Sequence, residues 1–172
     1  MEKTQIKTEK LTPKNLQKFF PVFEEVLKTG FPEYPKKLID FFVFQDFSKK
    51  IFLEKIRKED WLGLLAVIDE EIVGFLVTDK LYGGVSYCFW LGVKKEFQGQ
   101  GIGSLLLKEW EEEVKKQGGH KLMLVTQHKE NEKFYLKNGF KNEGFEEKSW
   151  FGLDCWKFGK VIGKPQPEVF LK

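Results

Sequence analysis

Between a β-rich apolar run at residues 85–93 and an amphipathic stretch at residues 101–116 stands a glycine-rich turn, Gln98-Gly99-Gln100-Gly101-Ile102-Gly103-Ser104. A strand that passes through such a turn into a helix must cross back to its sheet, and the short apolar run at residues 121–126 supplies the returning strand. Glycines let the backbone take positive φ and approach a ligand closely. The first turn of the helix offers unpaired N–H groups and the positive end of a dipole, which together suit a phosphate.

The flanking pattern predicts the rest of the architecture. Gln5 to Lys10 alternates weakly and reads as a first strand. Thr12-Pro13 reads as an N-cap and first-turn proline, followed by Leu16, Phe19, Phe20, Phe23, Val26 and Leu27 at helical spacing, with Thr29-Gly30 as the stop. After the aromatic loop Phe31-Pro32-Glu33-Tyr34-Pro35, residues 38–44 and the set Ile51, Phe52 and Ile56 predict two further helices. Residues 62–68 and 72–78 form a hairpin across Asp69-Glu70-Glu71, and Gly83-Gly84 marks another turn. In the amphipathic stretch Ile102, Leu105, Leu106, Trp110 and Val114 share one face. A short helix at residues 130–138 closes at Gly139. Strands follow near residues 143–149 and 153–158, and residues 162–172 form an extended tail. The expectation is one α/β domain over residues 1–172, a mixed, mostly antiparallel sheet flanked by helices with one parallel crossover.

Composition narrows the function. Hydrophobic residues at 41% and charged residues at 32% describe a globular chain. Its 29 basic and 26 acidic residues are too balanced for a nucleic-acid binder. No run approaches the ~18 apolar residues of a membrane helix, and the start lacks a signal peptide. These features point to a cytoplasmic protein with no membrane partner. Cys88 and Cys155 read as small core residues. His120 and His128 have no Cys or carboxylate at ligand spacing, so no metal is expected.

Three phosphate loops compete for residues 98–104. A nucleoside-triphosphate loop needs a Lys after its second glycine, whereas Ser104 directly follows Gly103. A dinucleotide loop needs a third glycine, but the position holds Ser104 counted from Gly99 and Leu106 counted from Gly101. Its acidic ribose ligand is missing as well, since residues 119–128 contain no Asp or Glu.

The remaining pattern, Gln98-x-x-Gly101-x-Gly103 five residues after Val93, resembles the acetyl-CoA loop of the Gcn5-related N-acetyltransferase (GNAT) family. A second stretch, Phe134-Tyr135-Leu136-Lys137-Asn138-Gly139-Phe140, resembles that family's C-terminal cofactor motif. The resemblance covers roughly residues 60–158 well and the N-terminal helices by order only.

The resemblance implies the GNAT acyl-CoA N-acyltransferase fold, and acetyl-CoA (coenzyme A) as cofactor. It implies direct transfer of the acetyl group in a ternary complex to a primary amine on a small molecule or peptide, by a monomer or homodimer. The backbone of Leu91, Gly92 and Val93 would pair with the pantetheine arm. Gln98, Gly99, Gln100, Gly101, Ile102, Gly103 and Ser104 would hold the pyrophosphate. Tyr135 matches the catalytic tyrosine near the sulfur, and Phe134 lies beside it in the cofactor motif. The family commonly has Asn seven residues before that tyrosine and Ala four before. Here the two positions hold His128 and Asn131, and Asn131 is the preferred polar contact to the pantetheine arm. Phe31, Tyr34, Tyr82 and Trp150, with Phe151, are expected to line the acceptor groove. No base stands out: Glu33, Glu143, Glu147 and Asp154 are the carboxylates placed to reach it. The absence of a clear base keeps a non-catalytic CoA-binding or sensing domain as the alternative.

Overall fold

Asp69 and Glu70 both take positive φ, 47° and 67°, and make a two-residue turn between β2 (Trp61–Ile68) and β3 (Glu71–Asp79). This is the hairpin that the sequence predicts. The computed structural model describes residues 6–171, so Gln5, the expected start of the first strand, lies outside the described residues. The elements run β1 (Lys7–Lys10), α1 (Leu16–Gly30), α2 (Lys36–Phe41), a π-helical turn (Phe42–Asp46), α3 (Lys49–Arg57), β2, β3, β4 (Val85–Val93), α4 (Ile102–Lys116), β5 (Lys121–Thr126), α5 (Glu132–Lys137), β6 (Lys141–Trp150) and β7 (Leu153–Val161). The strand order is β1-β2-β3-β4-β5-β7-β6. β4 and β5 are parallel, whereas β1–β2, β2–β3, β5–β7 and β6–β7 are antiparallel. The fold is therefore the mixed, mostly antiparallel sheet with helices that the sequence predicts.

The chain divides into two compact units. The first comprises Met1–Lys80 and Trp90–Glu109, the second Leu81–Phe89 and Trp110–Lys172. The first unit owes its core to phenylalanine. Phe19 and Phe23 on α1 meet Phe75 of β3 at ring-centroid distances of 5.4 and 5.6 Å, and Phe52 of α3 at 5.1 and 5.2 Å. Tilted and edge-on pairs of this kind add to simple area burial. Gly92 of β4 is required by this packing: an added Cβ would stand 2.6 Å from Val26 and 2.9 Å from Phe75.

The helix starts differ from expectation. α1 begins at Leu16, and Thr12 and Asn15 share the entry: Asn15 Oδ1 accepts from the Thr12 backbone N–H at 2.7 Å, and the Thr12 carbonyl accepts from the Leu16 N–H at 3.1 Å. The second predicted helix ends at Phe41 and continues as the π-helical turn. In α4 Leu107 is buried while Leu105 is partly exposed, so the buried face takes in one position outside the expected stripe.

The second unit is centred on Trp110, which is fully buried and donates its indole N–H to the Ser86 hydroxyl at 2.9 Å. That bond removes the cost of burying both polar groups. Phe140, Tyr135 and Phe158 complete this core, with Cys88 and Cys155 as buried free thiols. The expected extended tail contains a 3-10 turn at Pro167–Phe170. Its Phe170 ring lies 3.0 Å from where a Cβ on Gly84 would stand.

Candidate functional site

In the first unit the site begins where β4 ends. The Lys94 backbone N–H donates to the Val73 carbonyl at 2.9 Å, which ties the strand end to β3. A 3-10 turn at Lys95–Phe97 then leads into the glycine segment. The Gln98 side-chain amide donates to the Val93 carbonyl at 3.1 Å, and the Gln100 amide donates to the Glu96 carbonyl at 3.3 Å. Gly99 and Gly101 take φ of 78° and 83°, a region that disfavours any residue with a Cβ. A Cβ added at either would meet no heavy atom within 4 Å, so both glycines face open space. Gly103 has no such φ and lies in the first turn of α4. The result is an exposed backbone turn beside the N-terminus of a 15-residue helix. It is a geometry for an anion.

β4 pairs with β5 from Val85↔Lys121 to Cys88↔Leu124 and itself runs on to Val93. Leu91, Gly92 and Val93 thus belong to a stretch of β4 beyond that register.

In the second unit, Tyr135 sits on α5 and is only 6% exposed. Its ring packs on Phe158 at 5.1 Å and on Phe140 at 5.9 Å, and Phe134 stands edge-on to it at 5.2 Å. Burial pushes the Tyr135 phenol above its ordinary range, and the nearby Cys88 thiol adds to the shift. The phenol is therefore a neutral donor across the physiological range. Thr126, at the end of β5, organises the approach to α5. Its hydroxyl accepts from the His128 backbone N–H at 3.1 Å and from Asn131 Nδ2 at 3.5 Å. Asn131 ends the 3-10 turn Lys129–Asn131 just before α5, Tyr135 lies on α5, and Gly139, at φ 83°, follows the helix end as expected.

The acceptor candidates separate by unit. Phe31 stacks on Tyr34 at 5.0 Å and meets Trp90 edge-on at 5.5 Å in the first. Tyr34 is buried and also packs on Phe42. In the second, Tyr82 is 88% exposed and Trp150 stands edge-on to Phe151 at 5.1 Å. Among the carboxylates, Glu143 pairs with Lys121 at 2.9 Å and Asp154 accepts from the Lys148 backbone N–H at 2.9 Å, so both hold local structure. Sequence reasoning missed Thr126 and the Ser86–Trp110 bond. A lone polar residue at the end of an apolar strand is the only signal either leaves in the sequence. Among the described residues no three His, Cys, Asp or Glu side chains gather in a way that would hold a metal, and no helix is long and apolar enough to cross a membrane.

Comparison with known proteins identifies the family. Residues 22–140 match the model of the acetyltransferase (GNAT) family. A search of curated protein sequences gives no match. Among solved structures, the PaiA N-acetyltransferase of Thermoplasma acidophilum in complex with coenzyme A is 28% identical, with a TM-score of 0.77 over 91% of this chain and 99% of that one. The ribosomal-protein-S18-alanine N-acetyltransferase of Escherichia coli is 17% identical, with a TM-score of 0.71 over 94% and 97% of the two chains, and shares the fold. A streptothricin acetyltransferase of Bacillus anthracis in complex with acetyl-CoA is 23% identical, with a TM-score of 0.58 over 64% and 67%.

Proposed function

The chain belongs to the GNAT acetyltransferase family, and from that premise we propose that it moves the acetyl group of acetyl-CoA onto a primary amine by direct attack in a ternary complex. The observation that carries the proposal is the turn at Gly99 and Gly101, whose positive φ angles and open frontage at the start of α4 suit a pyrophosphate. Two similar structures hold coenzyme A or acetyl-CoA, which supports the same ligand here.

Acetyl-CoA supplies an acyl group already activated as a thioester. The residues of this chain do the rest. Residues 98–104 fix the pyrophosphate through backbone N–H groups, with Gln98 and Gln100 holding the turn in shape. Leu91, Gly92 and Val93 offer their backbone to the pantetheine arm, and a backbone N–H near Leu91 stabilises the thioester oxygen as it gains charge. Asn131 and Phe134 contact the arm beside Tyr135. The neutral amine forms the new C–N bond while the C–S bond breaks. Tyr135, protonated at neutral pH, gives its proton to the departing sulfur and is restored by the proton that the nitrogen loses as it becomes an amide. The acceptor is a small-molecule or peptide amine, met by Phe31, Tyr34, Tyr82 and Trp150.

The test is release of free thiol from acetyl-CoA in the presence of a panel of amines that includes polyamines, aminoglycosides, lysine and peptide N-termini. Amine-dependent release is the expected result. Binding of acetyl-CoA with no release above hydrolysis for any amine would replace this reading with a CoA-binding or sensing domain.

A further inference from the structure

Lys94 is the first residue after β4, and its side chain is only 13% exposed. Three carboxylates surround its Nζ: Glu71 at 2.7 Å, Glu96 at 3.6 Å and Glu25 at 3.7 Å. They come from three places, the start of β3, the 3-10 turn of the loop and α1. Each glutamate side chain is about half exposed, whereas most of the lysine side chain between them is covered. The hydrogen bond to Glu71 holds the Lys94 ammonium above its ordinary range, so it stays charged throughout.

One ammonium against three carboxylates leaves the cluster at a formal −2, since 1 − 3 = −2. The cluster is part of the phosphate turn, because the Glu96 carbonyl also accepts from Gln100 within it. A pyrophosphate on the N–H groups of residues 98–104 would bind a turn that begins two residues after Glu96, a member of this acidic rim, and like charges repel. We infer that Lys94 is a positioning residue for the anionic cofactor, tying the phosphate turn to α1 and β3 while cancelling part of the acidic rim beside it. The inference rests on reading residues 98–104 as the phosphate turn. Loss of the ammonium raises the rim to a formal −3 and unties the junction. The neighbouring Lys95 is exposed and stands outside this cluster, so it serves as the control for a simple change in net charge.

The experiment is calorimetric titration of the whole chain with acetyl-CoA at about 0.05 M and about 0.5 M salt, where screening differs several-fold. Lys94→Met is expected to weaken binding about tenfold at low salt and about threefold at high salt, because part of the loss is repulsion. Lys94→Arg, which keeps the charge, should stay within about threefold of the unmodified protein, and Lys95→Met within about twofold. Glu96→Gln thins the rim without removing Lys94 or its closest partner, and should tighten binding about twofold at low salt. The Arg and Gln variants decide the matter if Lys94→Met does not fold. Unchanged affinity in Lys94→Met, an equal loss in Lys95→Met, or weaker binding in Glu96→Gln would overturn the inference. Failure of the unmodified protein to bind acetyl-CoA at either salt is a different outcome, which removes the phosphate-turn reading itself and this inference with it.

Discussion

The side-chain amide of Gln98 donates to the backbone carbonyl of Val93 at 3.1 Å, so the glycine turn is latched to the last residue of the strand it leaves. The latch spans the 3-10 turn at Lys95–Phe97 and sets where Gly99 begins its left-handed course. In the family resemblance Gln98 reads as a ligand contact. In the structure its side chain holds the loop to the strand end.

Gln98→Ala removes one exposed neutral hydrogen bond, a change of about 1 kcal/mol. Acetyl-CoA affinity is expected to fall by about fivefold while the thermal midpoint falls by no more than about 4 °C. Calorimetric titration beside a melting curve checks both, and unchanged affinity would show that the latch has no part in binding.

Gly101→Ala tests backbone geometry with little steric interference. The added carbon meets nothing within 4 Å, so the cost is the left-handed φ, about 1 kcal/mol. That carbon also enters the space in front of the turn, and acetyl-CoA binding should weaken about tenfold. Gly92→Ala is the contrast: its carbon strikes Val26 and Phe75, so stability falls by about 2 kcal/mol through overpacking. Chemical denaturation of the two variants separates strain from collision.

Tyr135→Phe should lower turnover by about a hundredfold at saturating acetyl-CoA and leave cofactor affinity almost unchanged, as expected for loss of a general acid. The same substitution has a signature in stability. The phenol titrates higher in the folded chain than at its ordinary value of 10.0 in the unfolded chain. Its contribution is complete below that ordinary value and is lost as pH rises toward the folded one, because the unfolded chain gives up the proton first. The unmodified protein should lose stability more steeply above about pH 10 than Tyr135→Phe does. Parallel alkaline melting curves for the two proteins would count against a buried neutral phenol.

Ser86→Ala leaves the Trp110 indole N–H buried without its acceptor and should cost about 1–3 kcal/mol. Combining it with Trp110→Phe should cost less than the sum of the two single changes, because one bond is lost only once. Denaturation midpoints of the four proteins in the cycle measure the coupling, and strict additivity would contradict the hydrogen bond.

Local signals carried much of this protein. The continuous apolar, β-rich runs of β2 and β3, the paired turn residues Asp69 and Glu70, the helical spacing of α1 and α4, and Gly139 as a helix stop are consequences of nearby chain geometry. They were legible for that reason. The glycine turn was legible too, because the need for positive φ at Gly99 and Gly101 is a property of the backbone itself. Boundaries were less so. α1 starts at Leu16, after a turn in which Thr12 and Asn15 bond each other, and α2 gives way to a π-helical turn that no periodicity announces.

The sequence by itself determined the strand–turn–helix that presents an anion site, and the presence of Tyr135 in a second motif. Tertiary structure alone decided what surrounds them. Ser86 meets Trp110 across 24 positions of chain, and Lys94 meets Glu71 across 23. Tyr135 titrates above its ordinary range because the second unit's core closes around it. Pairings at that separation and pKa shifts of that origin depend on which side chains exclude water from one another, a quantity that no local pattern encodes.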